Sequence, residues 1–169
     1  MVEETNKGET MEQDKHFDTF QLPPEYQLRI TEDFERLVPF FVENELEFSE
    51  EEPVSTDIIK GWELIRRSDD FLIGATVLAK RQGEYIVDGI AVDPNFRHLK
   101  AGKLLLNQVM KEVKERGGTR IYLVARAPGF FRKMGFDVTP KEEAPHFFEC
   151  LTCPQYQVGC FPEIMKWEV

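Results

Sequence analysis

Chemistry concentrates where the apolar run Tyr85–Val92 meets the stretch Asp93-Pro94-Asn95-Phe96-Arg97-His98-Leu99-Lys100-Ala101-Gly102-Lys103, which opens a helix-patterned segment. A strand, a tight turn and a helix N-terminus in that order aim backbone N–H groups at one point, with the positive end of the helix dipole behind them. That point suits a phosphate or diphosphate. Gly102 removes a β-carbon where backbone must approach a ligand, and Arg97, His98, Lys100 and Lys103 supply charge and donors around it. The spacing matches neither a dinucleotide-binding GxGxxG nor a Walker loop, so an ordinary surface turn fits it equally well.

Other reactive side chains lie on either side. Asp88, on the run Tyr85–Val92, has the chemistry to take a proton directly or through a water, and it reads equally as a satisfied polar residue beside Gly89 or at a bulge. Arg126 follows the apolar run Ile121–Ala125 and suits a substrate carboxylate or a ligand phosphate, or is a plain surface arginine. All three cysteines fall within eleven residues, as Cys150-x-x-Cys153-Pro154 and then Cys160, preceded by His146. Two thiolates of a CxxC knuckle, a third thiolate and an imidazole make a tetrahedral zinc set; three free thiols are the alternative.

The elements that must position these groups follow from periodicity. Tyr26 to Ile30 alternates like a short strand, and Thr31 to Asp33 leads into a helix through Leu37, Val38, Phe41 and Val42. Glu43 to Glu52 holds six glutamates in ten residues and reads as a solvated helix end and loop, or as a rim that attracts cations. Ser55 or Thr56 is expected to cap a second short helix through Ile58 and Ile59. Three antiparallel strands are then expected over Trp62–Arg66, Phe71–Lys80 and Tyr85–Val92, joined by turns at Ser68-Asp69-Asp70 and Gln82-Gly83-Glu84. Leu104, Leu105, Val109 and Val113 predict a helix over Ala101–Arg116 that stops at Gly117-Gly118. A strand at Ile121–Ala125, a short helix at Gly129–Met134 ending in Gly135-Phe136, and a strand at Glu163–Val169 complete the order. The strands before and after the long helix should be parallel neighbours joined by a right-handed crossover. The fold class is therefore α/β (α+β): a mixed, strongly twisted sheet of six to seven strands.

Ile90-Ala91-Val92-Asp93-Pro94, then Arg97-x-x-Lys100-x-Gly102 and Leu104-Leu105, resemble the acetyl-CoA-binding motif of the GNAT superfamily of N-acetyltransferases. Ala127-x-x-Phe130-Phe131 with Gly135-Phe136 resembles that superfamily's second motif. The resemblance covers roughly residues 71 to 136. It implies helices on both faces of the sheet and a V-shaped splay between central strands beside residues 88 to 92. It further implies that main-chain groups of Ile90 and Val92 pair with the pantetheine of acetyl-CoA, a strand addition that needs no particular side chains. The diphosphate would lie on the amides from Arg97 through His98, Leu99, Lys100 and Ala101 to Gly102 and Lys103, with Arg126, Phe130 and Phe131 also on the cofactor side. Backbone N–H groups near Ala91 or Val92 would polarise the thioester carbonyl for direct attack by an amine in a ternary complex, and Asp88 is the candidate base on that strand.

Two positions depart from the pattern. Lys100 replaces the first glycine of the phosphate loop, and Phe131 stands where many relatives carry a tyrosine that protonates the departing thiolate. Coenzyme A is a tolerable leaving group without that acid, so the expected activity is acetyl transfer to a small-molecule amine or amino acid. A non-catalytic acyl-CoA-binding module, or an interaction protein with a structural metal in its cysteine tail, is the alternative. The cysteine tail also resembles the ends of short bacterial amino-acid N-acetyltransferases, including those acting on glutamate. That implies a basic residue such as Arg126 or Arg132 on the substrate carboxylate, against which the acidic run would act.

The 169 residues are 41% hydrophobic and 31% charged, enough apolar surface for one domain, expected over residues 26–169 and including the Cys-rich segment 146–160. Residues 1–25 carry seven acidic and two basic side chains and read as a partly ordered leader. A formal charge of −10 argues against general nucleic-acid or anionic-membrane binding. The stretch from Pro94 to Met134 opposes that average: ten Lys or Arg against two Glu give +8, leaving −18 on the other 128 residues. A positive island in an acidic chain points to a specific anionic ligand. No apolar run approaches 18 residues and the first twenty are acidic, so neither a membrane span nor a secretory signal is expected and a cytoplasmic location is. A homodimer stays open.

Overall fold

A computed structural model describes residues 21–44, 56–125, 128–140, 143 and 163–168. Seven strands form one sheet in the order β1-β2-β3-β4-β5-β7-β6. They are β1 (Tyr26–Thr31), β2 (Asp57–Arg66), β3 (Phe71–Arg81), β4 (Glu84–Val92), β5 (Arg120–Ala125), β6 (Asp137–Val138) and β7 (Glu163–Glu168). The helices are α1 (Phe34–Glu43), α2 (Ala101–Glu115) and α3 (Pro128–Lys133), and a 3-10 segment, Pro94–Leu99, precedes α2. Among the described residues only β4 and β5 pair in parallel, across the α2 crossover. This is the mixed sheet expected from the periodicity, with the two central strands joined as the crossover demands.

One expected element is different. Residues 57–59 are the start of β2, not a helix capped by Ser55 or Thr56. Asp57 and Ile58 pair with Lys80 and Ala79, and a register shift follows before Lys60 pairs with Leu78. Two adjacent β-branched isoleucines favour an extended backbone, and the long partner β3 was there to pair with them. Ser55 lies outside the described residues. The other boundaries move by a residue or two, and β6 adds a short strand that pairs Asp137 and Val138 with Lys166 and Met165.

The helices cover opposite faces. On one face Leu105, Leu106, Val109, Met110 and Val113 of α2 pack with Leu78, Val87, Ile121, Leu123 and Trp167. On the other, Leu37, Phe40 and Phe41 of α1 pack on Ala75, Val77 and Ala91. Gly89 makes the second contact possible: a β-carbon there would stand 2.8 Å from the Phe41 ring. Asp33 caps α1 by accepting from the Arg36 amide, and a charge network then holds the helix start on the sheet. Buried Glu63 of β2 accepts from Arg29 at 2.6 Å and from Arg36 at 3.5 Å, and both arginines also reach Asp70 in the β2–β3 turn. Glu63 keeps only 3% exposure, so its charge is tolerable because it is paired from two sides.

On the α2 face, Lys60 donates to Glu112 at 2.7 Å and Arg116 donates to the other oxygen at 2.8 Å. The hydrogen bond from Lys60, ahead of that from Arg116, holds the Glu112 carboxyl below its ordinary value of 4.5. A carboxyl lowered in the folded state adds stability above the unfolded value, and that stability is lost as pH falls through the folded one. Lys60→Met should therefore destabilise the protein by about 1 kcal/mol at pH 7. The difference from wild type in urea unfolding should shrink as pH drops below the ordinary carboxyl value.

Candidate functional site

Strand β4 carries one residue more than its partner can match. Val77 pairs with Gly89 and Leu78 with Val87, which leaves Asp88 as the extra residue of a β-bulge. Beyond the bulge β4 and β5 part company. Their one register pair is Ile86↔Tyr122, and among the described residues Val87 to Val92 pair only with β3. The expected splay beside residues 88 to 92 is thus present, and it leaves main-chain groups of β4 facing a gap.

A cavity of about 250 Å³ opens along this stretch, lined by Glu43, Asn44, Ile90, Ala91, Val92, Pro94 and Arg97. The loop at its far end is built from both sides of the Asp93-Pro94 corner. The Asp93 amide donates to Ile73 and its carboxylate accepts from the Asn95 amide at 2.9 Å. Leu99 and Ala101 bury their side chains with Leu64 and Ile73, so they offer a ligand only backbone. Lys100 between them is exposed and takes a left-handed conformation, φ 54° and ψ 36°. A lysine has therefore adopted the conformation that glycine adopts without strain, so replacing the glycine preserves the turn at the cost of local strain. The amides of Ala101 and Gly102 precede Leu104, whose N–H makes the first bond of α2, to the Lys100 carbonyl. The start of α2 thus follows directly on Arg97, the cation that lines the cavity, and a helix N-terminus beside a cation suits an anion.

Aromatic rings brace this loop. Phe96 meets Tyr26 edge-on at 6.4 Å and Phe71 at 5.8 Å, and His98 stacks on Phe96 at 6.3 Å. Arg66 lies over the rings of Phe71 and Phe96. Phe130 of α3 caps the other side: a β-carbon on Gly102 would sit 3.3 Å from its ring. The close approach expected at Gly102 is therefore to Phe130 in the protein itself. Phe131 is half-buried and packs edge-on against Phe130 and Phe136, so it behaves as a core ring.

Asp88 is engaged in a way the spacing did not reveal. The guanidinium of Arg81, 2% exposed, donates to Asp88 at 3.1 Å and to the Thr56 hydroxyl at 2.6 Å. The carboxylate retains 18% exposure. A guanidinium that deep requires a counter-charge, and the bulge turns Asp88 toward it. Arg81 was missed because, beside Lys80 and next to a turn, it has the pattern of a solvated residue. Gly89 after Asp88 was the available cue for the bulge.

Not every candidate is within reach. Arg126, His146, Cys150, Cys153 and Cys160 lie outside the described residues, as does the acidic run after Asn44 up to Glu52. Among the described residues no three His, Cys, Asp or Glu side chains gather to hold a metal. No described helix is long and apolar enough to cross a membrane.

The model of the acetyltransferase (GNAT) family matches residues 18–136 of the chain. No curated protein is significantly similar to it in sequence. Among solved structures it resembles an acetyltransferase of the GNAT family from Staphylococcus aureus, with TM-score 0.61 and 18% identity over 84% of this chain and 99% of that one. It also resembles N-acetylglutamate synthase from Neisseria gonorrhoeae, solved with coenzyme A and N-acetyl-glutamate, with TM-score 0.60 and 18% identity; the match covers 84% of this chain and 35% of that one. A GNAT family acetyltransferase from Elizabethkingia anophelis with acetyl-CoA bound aligns at TM-score 0.54 and 14% identity, over 87% of this chain and all of that one.

The ion pair at the bulge leads to a stability prediction. Asp88→Ala should lower the unfolding free energy by about 1–3 kcal/mol, since it removes a carboxylate partner of a buried guanidinium. The double variant Arg81→Met/Asp88→Leu should recover most of that loss in urea titration.

Proposed function

Because the chain belongs to the GNAT family of acetyltransferases, we propose that it moves an acetyl group from acetyl-CoA to the amine of a small molecule or amino acid in a ternary complex. The observation that carries this reading is the parting of β4 from β5 beside a cavity lined by Ile90, Ala91, Val92, Pro94 and Arg97. Ile90 and Val92 present the main-chain edge that suits the amides of a pantetheine arm. The amides of Ala101 and Gly102, with the positive charges of Arg97, Lys100 and Lys103, suit the diphosphate. Solved structures of the same fold hold coenzyme A or acetyl-CoA, which supports this choice of cosubstrate. A cytoplasmic setting fits such a cosubstrate.

Transfer requires a neutral amine. Its nitrogen bonds to the thioester carbon, the carbon–sulfur bond breaks, and the thiolate leaves with the electron pair. Backbone N–H groups near Ala91 or Val92 would stabilise the oxyanion, and they cost no reorganisation because the strand is already fixed by β3. Asp88, partly open at the bulge, would receive the amine's proton through a water, its orientation set by Arg81. Phe131 has no proton to donate, so the thiolate takes one from solvent.

The competing reading, a module that binds acyl-CoA without turnover, draws on the same Phe131. Incubating the protein with acetyl-CoA and a panel of amines while following free thiol separates the two. Sustained thiol release that depends on an acceptor is expected; coenzyme binding without release for any amine would leave only the module. Gly102→Leu should weaken coenzyme A binding by about ten-fold or more in calorimetry, because its side chain must displace Phe130 at the loop. Asp88→Asn should lower kcat much more than it changes the KM for acetyl-CoA.

A further inference from the structure

The part of the cavity lining that comes from α1 carries a charge conflict. Glu43 is the last residue of α1, where the helix dipole is negative, and α1 has no basic residue in its last turn. A carboxylate there is unfavourable unless a cation offsets it. Asn44 adds to the same sign: its side-chain amide donates to the Phe40 carbonyl at 2.8 Å, which leaves the side-chain oxygen as the acceptor offered to the cavity that Asn44 lines. No ion pair to Glu43 occurs among the described residues. The placement is firm, since Phe41 rests on Gly89 beside the bulge and the Glu63 network holds the other end of α1. Arg97, in the loop that suits diphosphate, lines the same cavity. The cavity thus draws its positive charge from that loop and its negative charge from the end of α1.

We infer that the acceptor is a small molecule with a second, protonated amine, such as an aliphatic diamine, whose ammonium is held by Glu43 and the Asn44 side-chain oxygen while its neutral amine faces the thioester. This inference rests on the acetyl-transfer reading and names its substrate class. A local arrangement that works against its own helix is the kind retained where a ligand resolves it. A dicarboxylic amino acid would place like charge against Glu43, so the fold shared with N-acetylglutamate synthase does not extend to that enzyme's substrate.

The test compares kcat/KM, at saturating acetyl-CoA, for 1,4-diaminobutane, butylamine, L-lysine and L-glutamate. The diamine is expected to exceed butylamine by about ten-fold or more, with glutamate the poorest, and 0.5 M salt should narrow the gap. Glu43→Gln should close most of the diamine-to-butylamine ratio, and Glu43→Lys should invert it. These exposed substitutions at a helix end leave the core intact, and the ratio is internal to each variant. Butylamine or glutamate turned over as well as the diamine would overturn the inference while acetyl transfer stands. A Glu43→Gln ratio equal to wild type would also overturn it. No thiol release with any acceptor would overturn acetyl transfer itself, and the inference with it.

Discussion

The unmatched residue in β4 governs the rest of the site. A strand with one residue too many cannot keep its ladder straight; it bends and twists more strongly where the extra residue sits. Here that residue is Asp88, and past it β4 keeps β3 but not β5. The gap this opens is the groove in which a flat, amide-bearing ligand can be received as a strand. A bulge in a central strand also exposes polar groups that must be satisfied. The Thr76 hydroxyl donates to the Gly89 carbonyl at 2.8 Å, and Arg81 takes the Asp88 carboxylate. Stability and site geometry therefore draw on the same few side chains.

Around that gap the protein separates its charges. The net charge of −10 is an average over a basic stretch that begins at the phosphate loop and an acidic remainder. Folding brings the two signs into the lining of one cavity, which holds both Arg97 and Glu43. Such a field would orient a ligand before contact, and under the proposed acetyl transfer it would sort acceptors by sign. The aromatic brace of Tyr26, Phe71, Phe96 and His98 holds the loop ahead of α2 in place.

Much of this was readable along the chain. Alternation and helical spacing located the strands and the long helix, because one face of each must be apolar to be buried. The corner before α2 was readable because Asp93-Pro94 and the helical spacing after it carry their meaning locally. The stretch at 57–59 was misread for the opposite reason: two isoleucines suit helix or strand, and only the neighbouring β3 decides between them.

Arg81 marks the limit. In the linear order it is one of two adjacent cations before a turn, and nothing nearby distinguishes it from Lys80. It becomes a buried counter-charge only when β3 and β4 align with a one-residue mismatch and Thr56 closes over it. In the same way Glu43 belongs to an acidic run whether or not it meets a ligand, and Gly89 is what seats the helix that brings it there. Local residue types determined most of which segments are extended and which are helical, since those depend largely on near neighbours. Register between distant strands and the seating of α1 decided which charges meet, because pairing energy depends on separation and burial, and neither exists before the chain folds.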